Sequence, residues 1–207
     1  MAPSDRDVLR TLVRRGYRAL RRATFHLSSA RDAVLFAGDS LIDQWPDLES
    51  HFPGLKVINR GISGDTSREL LFRLKRDVLA YRPSRIVILI GTNDLAEGIS
   101  PRRIAASISR MADDVRRFGG GVPIILCRVL PRTKIPGLFP DKIRALNGQI
   151  DSLAAKRKHV SVCDAFAPLA NEDGSCREDL FTDGLHLNAA GYRTLAAVLK
   201  PSLSRPA

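Results

Sequence analysis

From residue 33 onward, short apolar runs alternate with longer stretches in which apolar residues recur every three or four positions. The runs Ala33–Ala37, Lys56–Asn59, Arg85–Ile90, Pro123–Val129 and Val160–Asp164 are brief and largely apolar, with β-branched residues prominent in most, which predicts strands. The segments Ser67–Ala80, Pro101–Phe118 and Lys142–Lys158 carry the helical period, and a last helix over Ala189–Lys200 follows Asn188, a suitable N-cap. Strands buried on both faces and separated by helices form a parallel sheet with helices on each side. The pattern therefore predicts an α/β fold: a three-layer α/β/α sandwich around a flavodoxin-like five-stranded parallel sheet. Ligands of such sheets bind beyond the carboxyl ends of the strands, so the residues that follow each strand matter most for chemistry.

The first thirty residues follow a different pattern. Leu9, Leu12, Val13, Tyr17 and Leu20 recur at helical spacing, with Arg10, Arg14, Arg18, Arg21 and Arg22 mainly elsewhere around the helix, and Ser4 with Asp7 makes a capping-box-like start. This predicts a basic amphipathic helix over residues 1–30, ahead of a single domain over residues 31–207. An apolar stripe argues for docking on that domain, while the arginine-rich face leaves contact with an anionic surface open. Asp5 and Asp7 argue against a transit peptide, which is normally poor in acids.

Composition changes this picture little. Seven arginines against Asp5 and Asp7 supply +5 of the net +11, so much of the basic excess lies in one short segment, the rest of the chain is mildly basic, and charge alone does not imply a nucleic-acid partner. The chain is 44% hydrophobic and 27% charged, with no apolar run near the roughly 20 residues needed to span a bilayer. Cys127, Cys163 and Cys176 are too few and too scattered for a disulfide framework, and the first two sit in strand-like runs as small hydrophobes. Unpaired cysteines without a visible export signal point to the cytoplasm. Nothing in the spacing of histidines and cysteines calls for a metal or cofactor.

Polar residues collect at the strand ends. The first strand runs into Gly38-Asp39-Ser40-Leu41, the second into Asn59-Arg60-Gly61-Ile62-Ser63-Gly64-Asp65-Thr66, and the third into Gly91-Thr92-Asn93-Asp94. After the fifth, a loop leads into Asp183-Gly184-Leu185-His186-Leu187-Asn188. Each fragment alone reads as turn or capping chemistry: Ser40 as a cap, Asp65 or Thr66 before a helix, Asp183 and His186 in a surface loop. A parallel sheet, however, gathers all four on one rim.

Together the four blocks resemble those of the SGNH (GDSL-like) hydrolases, from about Val34 to Leu199, and the wording of the second and last is similar to the subgroup of platelet-activating-factor acetylhydrolase catalytic subunits and related bacterial esterases. The resemblance implies a serine esterase with a Ser40, His186 and Asp183 triad and an oxyanion hole made by the Ser40 and Gly64 backbone N–H groups and the Asn93 side-chain amide. Residue chemistry agrees: a serine hydroxyl needs a neighbouring base, imidazole titrates near neutrality, and a carboxylate fixes its tautomer. The Gly-x-Ser-x-Gly elbow of α/β-hydrolases is absent around Ser40. Asp39, Asp65 and Asp94 are expected to brace loops, and His26, His51 and His159 to be surface or structural histidines. Residues 131–140 and Leu95–Ile99 are expected to wall the pocket of a small-molecule ester, with a short acyl group on a polar or anionic alcohol. An acyl-CoA thioesterase, a lysophospholipase and a non-catalytic surface-binding module are the alternatives, and a homo-oligomer is left open.

Overall fold

A computed structural model describes residues 32–133 and 140–204, together with Val13, Gly16, Tyr17, Ala19 and Leu20. The five apolar runs form strands β1 (Val34–Gly38), β2 (Val57–Gly61), β3 (Arg85–Leu89), β4 (Ile124–Cys127) and β5 (Val160–Cys163). They make one parallel sheet in the order β2-β1-β3-β4-β5. The chain leaves β1 for β2 on one side and then crosses to β3 on the other, so the topological switch lies beside β1, where such sheets bind ligands. Every residue of β1 and β3 is buried, as central strands covered on both faces require.

The helices are α1 (Ser40–Asp43), α2 (Ser67–Asp77), α3 (Thr92–Ala96), α4 (Pro101–Phe118), α5 (Pro140–Ala154) and α6 (Ala189–Leu203). Alternation along each strand sends side chains to two separate cores. On one face Leu35, Ala37, Ile86 and Ile88 meet Leu70 and Leu74 of α2, Ile104, Ile108 and Met111 of α4, and Ile143 and Leu146 of α5. On the other, Phe36, Val87 and Leu89 meet Leu41, Ile42 and Trp45 at α1, and Tyr192, Leu195 and Leu199 of α6. The result is the expected three-layer sandwich.

Local chemistry sets the helix ends. Thr66 and Glu69 form a reciprocal capping box at α2, and Asn188 caps α6 by accepting from the backbone of Ala190 and Gly191. The helix expected over Ser67–Ala80 ends at Asp77, because Val78 leaves helical geometry at φ −125° and a short 3-10 turn over Leu79–Tyr81 follows. The third long helix starts at Pro140 rather than Lys142, since proline suits a first turn whose N–H groups lack helical partners. Helices α1 and α3 are too short to leave a periodic trace in the sequence.

Of residues 1–30, the five described are helical and exposed, and the Tyr17 hydroxyl donates to Asp43 Oδ2 at 2.5 Å. Val13 and Leu20, two residues of the apolar stripe, are 64% and 67% exposed, so at these positions the stripe is not packed on the domain. The arginines of this segment lie outside the described residues. Among the described residues, no helix is long and apolar enough to cross a membrane.

Two glycines fix how closely the site-bearing elements approach. A Cβ on Gly38 would lie 2.2 Å from the Leu89 carbonyl oxygen, and one on Gly61 would lie 2.2 Å from the Asp43 backbone nitrogen. Helix α1 therefore rests directly on the end of β2, backbone against backbone. Gly61→Ala is expected to destabilise the fold by about 3 kcal/mol, read as a lower midpoint in chemical denaturation, because both clashing partners are main chain; an unchanged midpoint would mean that this contact yields freely.

Candidate active site

Asp39 follows β1 and turns the chain into α1. Its Oδ1 accepts from the Leu41 backbone N–H at 3.0 Å, capping the helix that begins with Ser40. Behind that helix, the Tyr192 hydroxyl donates to the Leu41 carbonyl at 3.1 Å, Asn59 donates to the Ile42 carbonyl, and Trp45 packs on Phe36 and Tyr192. Ser40 is thus held on a short rigid element, with 9% of its surface exposed.

The last loop supplies the imidazole. Asp183 Oδ1 accepts from the backbone N–H groups of Leu185 at 2.9 Å and His186 at 2.7 Å, while its Oδ2 lies 2.8 Å from His186 Nδ1. His186 Nε2 lies 3.1 Å from Ser40 Oγ, across 146 residues of sequence. An ionised carboxylate only accepts, so Nδ1 carries the proton and Nε2 of the neutral ring is left to accept from the serine hydroxyl. Partial burial works against ionisation of Asp183, but the hydrogen bonds from His186 and Leu185 outweigh it and hold the carboxyl down at about 2. Ser40, His186 and Asp183 therefore form one hydrogen-bonded row.

Gly64 and Asn93 come together on the neighbouring loops. Gly64 takes a left-handed conformation at φ 79°, which favours glycine, in a turn closed by Asp65 N–H on the Ile62 carbonyl. The Asn93 amide donates to the Asp65 carbonyl at 3.0 Å, tying α3 to that turn. Asp94 accepts from the Ser67 backbone and hydroxyl at 2.8 and 2.6 Å, and Asp65 pairs with Arg73 at 2.6 Å with both side chains fully buried. Arg73 also donates to the Gly38 carbonyl at 3.2 Å. The three aspartates expected to brace loops each make such contacts.

Comparison with known proteins identifies the family. The profile of the GDSL-like lipase/acylhydrolase family matches residues 26–194. The chain belongs to that family, and it is a carboxylic ester hydrolase. It is 32% identical over 174 residues to the platelet-activating factor acetylhydrolase IB subunit alpha2 of Homo sapiens, covering 81% of this chain and 73% of the relative. The fold matches a solved structure from Streptococcus pneumonia with a TM-score of 0.84 at 26% identity, covering 97% of this chain and all of the other. A GDSL-like lipase from Bacteroides thetaiotaomicron superposes with a TM-score of 0.77 at 26% identity, covering 92% and 96% of the two chains.

Several supporting residues of this hydrolase were not legible as such. Arg73 lies on the buried face of α2 with Leu70 and Leu74, yet nothing in its spacing names Asp65 as its partner. Asn59 reads as the end of a strand and Asn147 as a polar position in a helix, whereas Asn59 donates to the Ile42 carbonyl and Asn147 exchanges two hydrogen bonds with the Val129 backbone, at 2.8 and 3.0 Å. The expected pocket wall is only partly described: residues 134–139 lie outside the described residues, and Leu95 is buried in the core rather than facing a pocket. His51 stacks edge-on against Trp45, and His159 meets the Ala112 carbonyl, away from the row; His26 lies outside the described residues.

Asp39 carries an electrostatic cost. Burial pushes its carboxyl up to about 7, aided by the like charges of Asp65 and Asp94 and opposed by the Leu41 N–H and Arg132. A carboxyl raised in the folded state contributes stability that is complete below its unfolded value near 4 and is lost as pH rises through 7. Asp39→Asn keeps the acceptor for Leu41 without the charge. The variant is expected to match the parent at pH 4 and to exceed it by roughly 4 kcal/mol at pH 8 in denaturant titrations; a variant equally stable at pH 8 would contradict this account.

Proposed function

We propose that the protein hydrolyses short-chain, acetyl-type acyl esters, with Ser40 as nucleophile, His186 as general base and acid, and Asp183 orienting the imidazole. The observation that carries this reading is the 3.1 Å approach of Ser40 Oγ to His186 Nε2. In this scheme Ser40 Oγ attacks the acyl carbon as its proton passes to Nε2, giving a tetrahedral oxyanion. The intermediate collapses, the ester C–O bond breaks, and His186 returns the proton to the leaving alkoxide. Water then attacks the acyl-serine by the same proton route, releasing the acid and restoring Ser40. Asp183 stays ionised throughout and stabilises the imidazolium.

The oxyanion requires donors that are in place before charge develops. In this reading they are the Ser40 and Gly64 backbone N–H groups and the Asn93 amide. The Asn93 bond to the Asp65 carbonyl orients that amide and leaves its second N–H for the substrate. The short-acyl preference is supported by where the apolar side chains beside the site lie. Leu41, Ile62 and Leu95 are all buried in the cores.

A chain-length series of nitrophenyl esters, run on the parent and on Asn93→Ala, tests both halves of the proposal. Rates are expected to peak between acetyl and butyryl, and the variant to lose about a hundredfold in kcat with only a small drop in thermal midpoint from the lost Asp65 hydrogen bond. A peak at twelve carbons or beyond would overturn the substrate class, and a near-parental rate would remove Asn93 from the oxyanion hole.

A further inference from the structure

Arg132 sits just after β4 and lies among three of the site's loops. Its Nη1 donates to the Thr92 carbonyl at 3.1 Å, at the start of the helix that carries Asn93. The adjoining Thr133 N–H donates to the Gly184 carbonyl at 3.0 Å, within the loop that carries Asp183 and His186. Three residues before Arg132, the Val129 backbone is clamped on both sides by the buried Asn147 amide, so the segment is fixed to α5 as well. The guanidinium is partly withdrawn from solvent, with Nε buried and unpartnered, and Asp39 Oδ2 beside Ser40 is buried and unpartnered too. Burial opposes the charge on Arg132, and the attraction of Asp39 and Asp183 opposes that penalty. A cation held there against that penalty, between the residue preceding the nucleophile and the residue orienting the base, is placed to act on both.

We propose that Arg132 is a positioning residue for ester hydrolysis, holding the Asn93 helix through Thr92 and setting a positive charge between Asp39 and Asp183 on either side of the Ser40–His186 pair. The inference rests on the reading of Ser40 as nucleophile. Arg132 touches no reacting atom and acts through these neighbours. Among the described residues, the charged and titratable groups around it are few. Asp39 is faced by Arg132 from the β4 loop, Asp65 and Asp94 from the β2 and β3 loops, and the Tyr192 hydroxyl from α6; Asp183 is faced by Arg132 and His186. Of the attractions that act on Asp39, Arg132 is the cationic one. Removing it takes a positive charge away from the Ser40–His186 pair, so protonation that stops the reaction persists to higher pH and the acid limb of the pH–rate profile moves upward.

The test compares Arg132→Gln and Arg132→Lys with the parent and with Ser40→Ala, using acetyl nitrophenyl ester across pH. For Arg132→Gln, kcat is expected to fall at least about tenfold with KM little changed, and the acid limb of kcat/KM to rise by roughly half a unit or more. For Arg132→Lys, which keeps the charge and displaces the Thr92 contact, the limb is expected to return to the parental position while kcat stays reduced. Should the glutamine variant fail to fold, the lysine variant decides: a reduced kcat with a parental limb supports the proposal, and a full kcat overturns it. A limb that does not move in a folded Arg132→Gln also overturns it, since a purely structural role lowers the rate at every pH alike. Activity retained in Ser40→Ala would instead defeat the reading on which the inference stands.

Discussion

The buried ion pair of Asp65 and Arg73 is the constraint on which the site's floor depends. Arg73 reaches from α2 to the Asp65 carboxylate and to the Gly38 carbonyl, while the Asp65 carbonyl receives the Asn93 amide. One guanidinium thereby fixes the ends of β1 and β2, and through Asp65 the helix that follows β3. Two charges taken fully out of water gain little net stability over an apolar pair of the same volume, and removing one alone typically costs about 3–5 kcal/mol. Its value here lies in geometry: the loops bearing Ser40, Gly64 and Asn93 cannot drift independently while the pair is intact.

Above that floor, the site separates its carboxylates by environment. Asp183 is half-exposed and hydrogen-bonded by two backbone N–H groups and the imidazole, and stays ionised to about 2. Asp39 is buried with one oxygen satisfied, and titrates near 7. Both are aspartates within hydrogen-bonding turns, yet one is a stable anion and the other costs stability when ionised. The difference follows from solvation and the number of donors, not from residue type. It also explains why the carboxylate that meets His186 belongs on the last loop, where backbone and imidazole donors outweigh the penalty of partial burial.

Much of this arrangement was legible in the chain itself. Continuous apolar runs in β1 and β3 signalled a sheet covered on both faces, and the parallel-sheet rule then placed Ser40, Asn93 and the last loop on one rim. The three-residue spacing of Asp183 and His186 fits the turn in which the carboxylate caps the backbone of the histidine it orients. What could not be read was the set of contacts between residues far apart in sequence and unmarked by periodicity: Arg73 with Asp65, Asn147 with Val129, Arg132 with Thr92. An arginine on a helix normally signals a solvated face, and only packing shows that Arg73 points inward. Leu95 fails as a pocket residue for the complementary reason, because a five-residue helix has no period from which its inward direction could be foreseen.

The account stands on activation of one hydroxyl by one imidazole, and covalent labelling measures that directly. A fluorophosphonate reacts with a serine whose proton is being accepted, and the mass of the modified peptide identifies the residue. The account predicts one adduct, on Ser40, that disappears when His186 is replaced by alanine in a protein that still folds. An adduct on another residue, or undiminished labelling of Ser40 without the imidazole, would contradict it.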